Sequence, residues 1–368
     1  MTSIDKRVAA GLIAMTVSRG PVREHFVTVT PQGHESPESL LRRSVEAVGE
    51  LGAEIISVEG LGMSVDDRKS IEGLIGALNG RDLPLAWVES ARSDNLYGVH
   101  VWAVSGVSVQ PLYFNGRRAG TMFEDKYARY GRLVGLLPTD VSADRADQTR
   151  GVFAQMDVLL QNSGMSFSDV FRTWFYNDRI LDWYSPFNGI RDQFFEEKKV
   201  YEGLLPASTG VGGRNLPGAA LLSGLLAMRG NGPDVKVFEV PSPLQSPAPE
   251  YGSSFSRAVE LQSPDLRRLY VSGTASIDGH GKTVFIGDPA GQVRLTMEVV
   301  AAILHSREMD WGDITRSLVY FKRAENAPLF RAYCEETGVP PFPAIVVEND
   351  ICRDDLLFEI EVDAAAAG

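Results

Sequence analysis

Residues 148–176 and 292–320 carry one pattern twice, in unbroken register at an offset of 144. Gln148 matches Gln292, Arg150 matches Arg294, Leu160 matches Leu304, Asp169 matches Asp313, Arg172 matches Arg316 and Tyr176 matches Tyr320. A match of this length implies a duplicated domain, so whatever fold one copy adopts, the other must share. Further along, the copies part. Set against Leu221-Leu222-Ser223-Gly224-Leu225-Leu226, the later copy reads Leu356-Leu357-Phe358-Glu359-Ile360-Glu361, which places Glu359 opposite Gly224. A pair of carboxylates in one copy and none in the other directs the search for chemistry to the later one.

The periodicity gives the unit its element order. Arg267–Asp278 alternates apolar and polar residues, meets Gly279-His280-Gly281 and resumes at Thr283–Ile286, which predicts a β-hairpin with a glycine turn. Gln292–Arg307 repeats apolar residues at helical spacing, Asp313–Phe321 is a strand, and Pro328–Thr337 is a second helix. Ala344–Val347 and Leu356–Val362 close a β-β-α-β-α-β-β order. The middle copy follows it with helix Thr149–Asn162, strand Val170–Asn177, helix Trp183–Glu197 and strands Ala207–Gly212 and Ala219–Ala227. Its front half offers strands at Val99–Val104, Leu112–Phe114 and about Arg132–Leu137. Near the N-terminus, Glu38–Leu51, Glu54–Leu61, Val65–Leu78 and Leu83–Val88 read helix, strand, helix, strand, a third and truncated version of the unit. The proline-rich run Pro241–Pro249 is a semi-rigid linker. The expected division is therefore residues 1–95, a partial unit; 96–240, the middle unit; 241–250, the linker; and 251–368, the last unit.

Composition narrows the function classes. With 44% hydrophobic and 23% charged residues, the chain is globular rather than disordered. A net charge of −12 disfavours nucleic acid, whose phosphates demand Lys and Arg. An anionic small molecule needs only two or three local cations. No segment has the length of a membrane-spanning helix, and Met1–Arg7 lacks the pattern of a secretory signal. Two cysteines, Cys334 and Cys352, form no disulfide framework, and a cytoplasmic setting is expected. The five scattered histidines offer no zinc-ligand spacing, so no metal is expected.

Tyr270-Val271-Ser272-Gly273-Thr274-Ala275, Gln292-Val-Arg294, Asp313-Ile-Thr-Arg316, Tyr320-Phe321, Pro343-Ala344 and Phe358-Glu359-Ile360-Glu361 resemble the RidA-like (YjgF-like) superfamily over about 120 residues. The resemblance implies an α+β, chorismate-mutase-like unit. Simple members are homotrimers with pockets between subunits, so fused units imply a pseudo-trimer, monomeric or further assembled. RidA-like imine and enamine hydrolases carry an arginine after that Pro-Ala. Here Ser208 and Ile345 stand instead, which weakens the deaminase alternative.

The fused arrangement, with Pro206-Ala-Ser-Thr-Gly-Val-Gly-Gly-Arg214, Tyr251-Gly-Ser-Ser-Phe-Ser-Arg257-Ala258 and Cys352-Arg-Asp-Asp-Leu-Leu-Phe-Glu359-Ile-Glu361, resembles the chorismatases more closely. These release pyruvate from chorismate without a cofactor and supply starter acids for polyketide and pigment pathways. The resemblance implies Glu359 as the catalytic acid, and Cys352 as a mark of the branch that makes 3-hydroxybenzoate. The alternatives are hydrolysis to 3,4-dihydroxycyclohexa-1,5-diene carboxylate, to which Ala258 is relevant, an imine hydrolase, or a non-catalytic metabolite-binding protein.

The chemistry suits the residues. Cleaving the enol ether of chorismate starts with protonation of its methylene carbon, which calls for a carboxylic acid held protonated near neutral pH. Glu359 and Glu361 share one strand face, so each raises the other's proton affinity. Glu361 itself is read as a solvated surface residue. Two substrate carboxylates need cations, for which Arg214 and Arg257 are the first candidates and Lys322 the third. Ser272-Gly273-Thr274 would line the pocket with backbone groups, Gly273 allowing close approach. Thr209, beside Ser208 and Gly210, would offer a hydroxyl where the superfamily's arginine is missing. Trp174, Trp183 and Tyr184 read as packing, as do Tyr176 and Tyr320.

Overall fold

The computed structural model describes residues 2–63, 83–90 and 96–368. The expected helix Val65–Leu78 lies outside them. Three six-stranded sheets follow one topology. The first is built from β1 (Thr2–Ala9), β2 (Leu12–Arg19), β3 (Val22–Val29), β4 (Glu54–Met63), β5 (Leu85–Glu89) and β6 (Gly98–Ser105), in the order β1-β2-β3-β6-β4-β5. The second holds β7 (Val109–Phe114), β8 (Arg117–Glu124), β9 (Ala128–Leu136), β10 (Val170–Asn177), β11 (Ala207–Gly212) and β12 (Leu221–Gly230). The third holds β13 (Lys236–Val240), β14 (Ala258–Ser263), β15 (Leu266–Ala275), β16 (Ile314–Phe321), β17 (Ile345–Glu348) and β18 (Phe358–Ala367). In each sheet a three-stranded meander leads to one parallel pair, and the last strand inserts between them. The molecule is α+β, with three RidA-like units arranged as a pseudo-trimer in one chain.

Helices cover the outer faces. They are α1 (Pro37–Gly49) on the first sheet, α2 (Arg145–Asn162) and α3 (Tyr184–Glu197) on the second, and α4 (Pro289–Ser306) and α5 (Pro328–Thr337) on the third. Each helix layer closes an apolar core of its own unit. The inner faces meet in a fourth core that mixes Ile56 and Val88 with Val134 and Trp174 and with Val259 and Ile345. A strand buried on both faces reads as a continuous apolar run, which is why Val170–Asn177 and Ile314–Phe321 are visible from sequence. On β18 the alternation is strict. Phe358, Ile360, Val362 and Ala364 enter the helix-side core, while Glu359, Glu361 and Asp363 turn to the inner face.

Several local expectations change. The first unit has a complete sheet, because the meander β1–β3 precedes α1 and Val99–Val104 is its β6 rather than the front of the middle unit. Thr2–Ala9 escapes an apolar pattern because it is a polar edge strand, mostly exposed. Lys236–Val240, ahead of the proline-rich run, pairs with β14 and so edges the third sheet. Thr283–Ile286 forms no strand. The partner of β15 is β14, joined through Pro264-Asp265, and the Gly279-His280-Gly281 loop is pinned by Asp278, whose Oδ1 accepts the amides of His280 and Lys282 at 2.8 and 2.9 Å. Helix α4 starts at Pro289, since Asp288 caps it by accepting the Gly291 amide at 3.0 Å and proline suits the first helical position.

Candidate active site

Register brings Glu359 to the boundary of the second and third sheets. It pairs with Ala275 on β15 and with Tyr320 on β16. Between Val271 and Thr274 the β15–β18 ladder slips, and this bulge turns Gly273 toward the acid. A Cβ on Gly273 would stand 2.1 Å from Glu359 Oε1, so only glycine leaves room for the carboxyl. The Gly273 amide donates to Thr209 Oγ1 at 3.0 Å, which also accepts from Arg172 Nη2 at 2.7 Å. Next to it, Ser272 Oγ accepts the Ser208 amide at 2.8 Å and donates to Ser256 O. These bonds tie β11 of the middle unit to β15 of the last.

The two glutamates stand in opposite electrostatic states. Glu361 is fully buried, not solvated as the sequence suggested, and accepts from Arg172 Nη2 at 2.8 Å, Arg316 Nη1 at 2.7 Å and Trp174 Nε1 at 2.8 Å. Although burial opposes its charge, Arg172 and Arg316 hold its pKa below the ordinary value. Glu359, 4% exposed, has no such ion pair among the described residues. Burial first, and then the negative charge of Glu361, push its pKa up to about 8, with Arg172 opposing. One carboxylate is therefore fixed as an anion and its neighbour holds a proton at neutral pH.

Residues 349–357 form the rim. Their loop hooks onto the middle unit where the Gly212 amide donates to Asp350 O at 2.6 Å. Lys322 pins its far side, its ammonium donating to Asp354 Oδ1 at 2.6 Å and its amide donating to Leu357 O at 3.1 Å. Cys352 lies within this loop, beyond the end of β17, among Ile277, Ile351 and Leu356. Burial and the nearby Glu359 push its thiol up to about 12, so it is a neutral apolar wall at physiological pH. Tyr184, the first residue of α3, faces the same space. Burial raises its pKa, with further contributions from Cys352 and Glu359, and a Cβ on Gly210 would lie 3.5 Å from its hydroxyl. Two helical turns later, Arg191 is 3% exposed. Its Nε and Nη2 have no hydrogen-bond partner, and the nearest carboxylate, Asp192 Oδ1, is 3.5 Å from Nε.

Of the other residues singled out from sequence, Arg257 approaches the group from the last unit. Its guanidinium donates through Nε and Nη2 to Ser246 O at 3.0 and 2.9 Å and stacks over Tyr251, which also carries Arg353. Thr274 is turned to its own backbone, donating to Ser272 O at 2.9 Å. Ala258 belongs to the helix-side core with Val240 and Val271 and does not face Glu359, because strand alternation puts it opposite Arg257. Arg214 is exposed, and its backbone bridges Glu89 of the first unit. Tyr184, Arg191 and Arg172 went unread. Tyr184 packs as its residue type and spacing predict, stacked on Phe187 beside Trp183, and it meets the Glu359 group as well. Arg172 had a signal, since the repeat keeps it as Arg316 in a strand otherwise apolar. The described residues contain no cluster of three or more His, Cys, Asp or Glu suited to a metal, and no helix among them is long and apolar enough to cross a membrane.

Residues 246–366 match the family model described as Endoribonuclease L-PSP. A 3-hydroxybenzoate synthase of Streptomyces hygroscopicus is 31% identical over 242 residues, which covers 58% of this chain and 68% of the relative. A chorismatase of the same organism is 28% identical over 252 residues, 62% of this chain and 70% of that one. The crystal structure of a chorismatase superposes with a TM-score of 0.65 over 93% of this chain and 98% of its own, at 21% identity, a likeness of fold. By the first of these matches in particular, the chain belongs to the chorismatase family.

Proposed function

We propose that this chorismatase-type enzyme cleaves chorismate to pyruvate and 3-hydroxybenzoate, with Glu359 as the proton donor. The observation that carries the reading is the buried carboxyl of Glu359, protonated up to about pH 8 beside an anionic Glu361. Glu359 gives its proton to the methylene carbon of the enol ether, and the ether carbon becomes an oxocarbenium centre. The 4-hydroxyl oxygen of the substrate then attacks ring carbon 3, the bond from that carbon to the ether oxygen breaks, and pyruvate leaves. The hydroxyl proton returns to Glu359. The epoxide then opens at its bond from carbon 4 to oxygen, the hydrogen on carbon 3 leaves as a proton and the ring oxygen takes up a proton, which gives 3-hydroxybenzoate. No water is consumed, and chorismate equals the sum of the two products.

Arg191 supports the reading as a partner for a substrate carboxylate. A buried guanidinium whose Nη2 makes no hydrogen bond and whose Nε has only a 3.5 Å ion pair with Asp192 carries a desolvation cost met in part, which a bidentate anion offsets further. Arg257, held on one edge by Ser246 O, is the second cation. Cys352 gives the pocket an apolar wall at which attack by water competes poorly with the internal hydroxyl. Incubating the purified protein with chorismate and separating the products by chromatography tests the whole scheme. Equimolar pyruvate and 3-hydroxybenzoate are expected; the dihydroxydiene acid in their place would move the protein to the hydrolysing branch, and no pyruvate would end the proposal.

A further inference from the structure

Glu59 stands on β4 of the first unit, which supplies none of the described side chains grouped around Glu359. It is 5% exposed and lies at the junction of the three sheets, in a cavity lined also by His100, Arg132, Trp174, Arg316 and Asp363. Its Oε1 accepts from Arg132 Nη2 at 2.6 Å and its Oε2 from Arg316 Nε at 2.9 Å. The other edge of the Arg316 fork reaches Glu361 at 2.7 Å. One guanidinium is thus divided between an anion of the first unit and the anion beside Glu359. Arg132, Arg172 and Arg316 all lie over the Trp174 ring, at 4.3, 4.5 and 5.1 Å, so the cluster is packed with little room to rearrange.

The charges do not cancel by themselves. Three guanidiniums face two firmly bonded carboxylates, Glu59 and Glu361. The third acid, Asp363, stands 3.5 Å from Arg316 Nη1, and burial raises its pKa to about 6. His100 is neutral, its pKa held down to about 3 by burial and Arg316, and it is bonded to Thr28 and Ser317. If Glu59 were uncharged, Arg316 would turn its whole charge toward Glu361.

We propose that Glu59 is a positioning residue for the acid: by holding one edge of Arg316 it limits how far that cation neutralises Glu361, and so preserves the negative charge that keeps the proton on Glu359. The inference rests on Glu359 being the acid, as argued above. The groups facing Glu359 are Glu361 on its own strand, Arg172 from β10, Tyr320 from β16, Tyr184 from α3, and Cys352 from the rim loop, beyond which Arg353 faces the thiol. Those facing Glu361 are Arg172, Arg316, Tyr176, Tyr320, His100 and Asp363. Of these groups Glu59 bonds Arg316, and its charge also acts on Tyr176, His100 and Asp363. Losing its negative charge acts in the same direction directly, since both effects make the surroundings of Glu359 more positive.

The test is Glu59→Gln, with the protonation of Glu359 followed by infra-red difference titration against Glu359→Gln, and kcat on chorismate measured across pH. The midpoint of Glu359 should fall by about half a pH unit or more, the alkaline limb of kcat should fall with it, and KM should hold. Because the single change leaves Arg132 and Arg316 without their shared anion, the double variant Glu59→Gln/Arg132→Met, which removes a neutral pair, is measured beside it and should move the same way. A midpoint that stays or rises in a folded variant overturns the inference. The infra-red reading needs no turnover: a lowered midpoint in a protein that releases no pyruvate would sink the chorismate reading and leave the role of Glu59 standing.

Discussion

Strands β12 and β18 fill the same place in their sheets and do opposite things. Tyr176 pairs with Leu222 in the middle sheet as Tyr320 pairs with Glu359 in the last, and Trp174 pairs with Gly224 as Leu318 pairs with Glu361. The counterpart of the acid is therefore Leu222, not Gly224, two residues from where a simple reading of the repeat puts it. In the first sheet the same place is Gly98, opposite Leu61. One scaffold thus carries leucine, glycine or glutamate at one point, and the next inward position on the same strand is Gly224, His100 or Glu361, so only the last unit places a second carboxylate there. The difference teaches that the fold tolerates a buried acid where its partner charge is fixed, and elsewhere fills the place with apolar or no side chain.

Removing what distinguishes β18 should have the largest effect. Glu359→Gln keeps the shape and loses the proton, and kcat for pyruvate release should fall by roughly 10²–10⁴-fold, measured by coupled pyruvate assay. The same variant should gain stability. The fold binds the Glu359 proton more tightly than the unfolded chain, so the wild type loses stability as pH rises from its ordinary value of 4.5 through about 8. Thermal unfolding of Glu359→Gln should show a shallower decline across that window, and an equal decline would mean that Glu359 is not held protonated.

A smaller effect is expected from crowding the acid without removing it. In Gly273→Ala the new Cβ would meet Glu359 Oε1 at 2.1 Å, so the carboxyl must shift, and a displacement of that order costs about 10²-fold in rate. KM should change less than kcat. Full activity in this variant would show that Glu359 works from another rotamer. The smallest change in rate, but the clearest change in product, is expected at the rim. Cys352→Ala cuts back the apolar wall, admits water, and should raise the dihydroxydiene acid relative to 3-hydroxybenzoate, as read by chromatography. An unchanged ratio would move the control of product away from this loop.

Much of the candidate site was legible because its motifs are local. Glu359, Gly273 and Thr209 come from short runs on β18, β15 and β11, and the structure gathers all three. What failed did so for reasons of distance. Ala258 and Arg257 are adjacent in sequence but face opposite sides of β14. Arg214 follows β11 directly, yet its backbone joins the first unit. Tyr184 and Arg191 sit on α3 at helical spacing with Phe187 and Phe195, in one largely buried stripe, so the periodicity does not separate the members of that stripe that also meet another unit.

The sequence by itself determined the repeated unit, its helix-strand-helix-strand-strand order from the first long helix onward, and the presence of a carboxylate pair in the last copy where the middle copy has none, since these follow from periodicity and from residue types within a few positions. Only the tertiary structure decided that Glu361 is a buried anion, that Glu359 keeps its proton, and that a glutamate of the first unit shares the arginine between them. Those facts depend on which side chains meet across three packed inner faces. Desolvation and charge pairing there are set by residues as far apart in the chain as Glu59, Arg172 and Glu361, and no local pattern records their meeting.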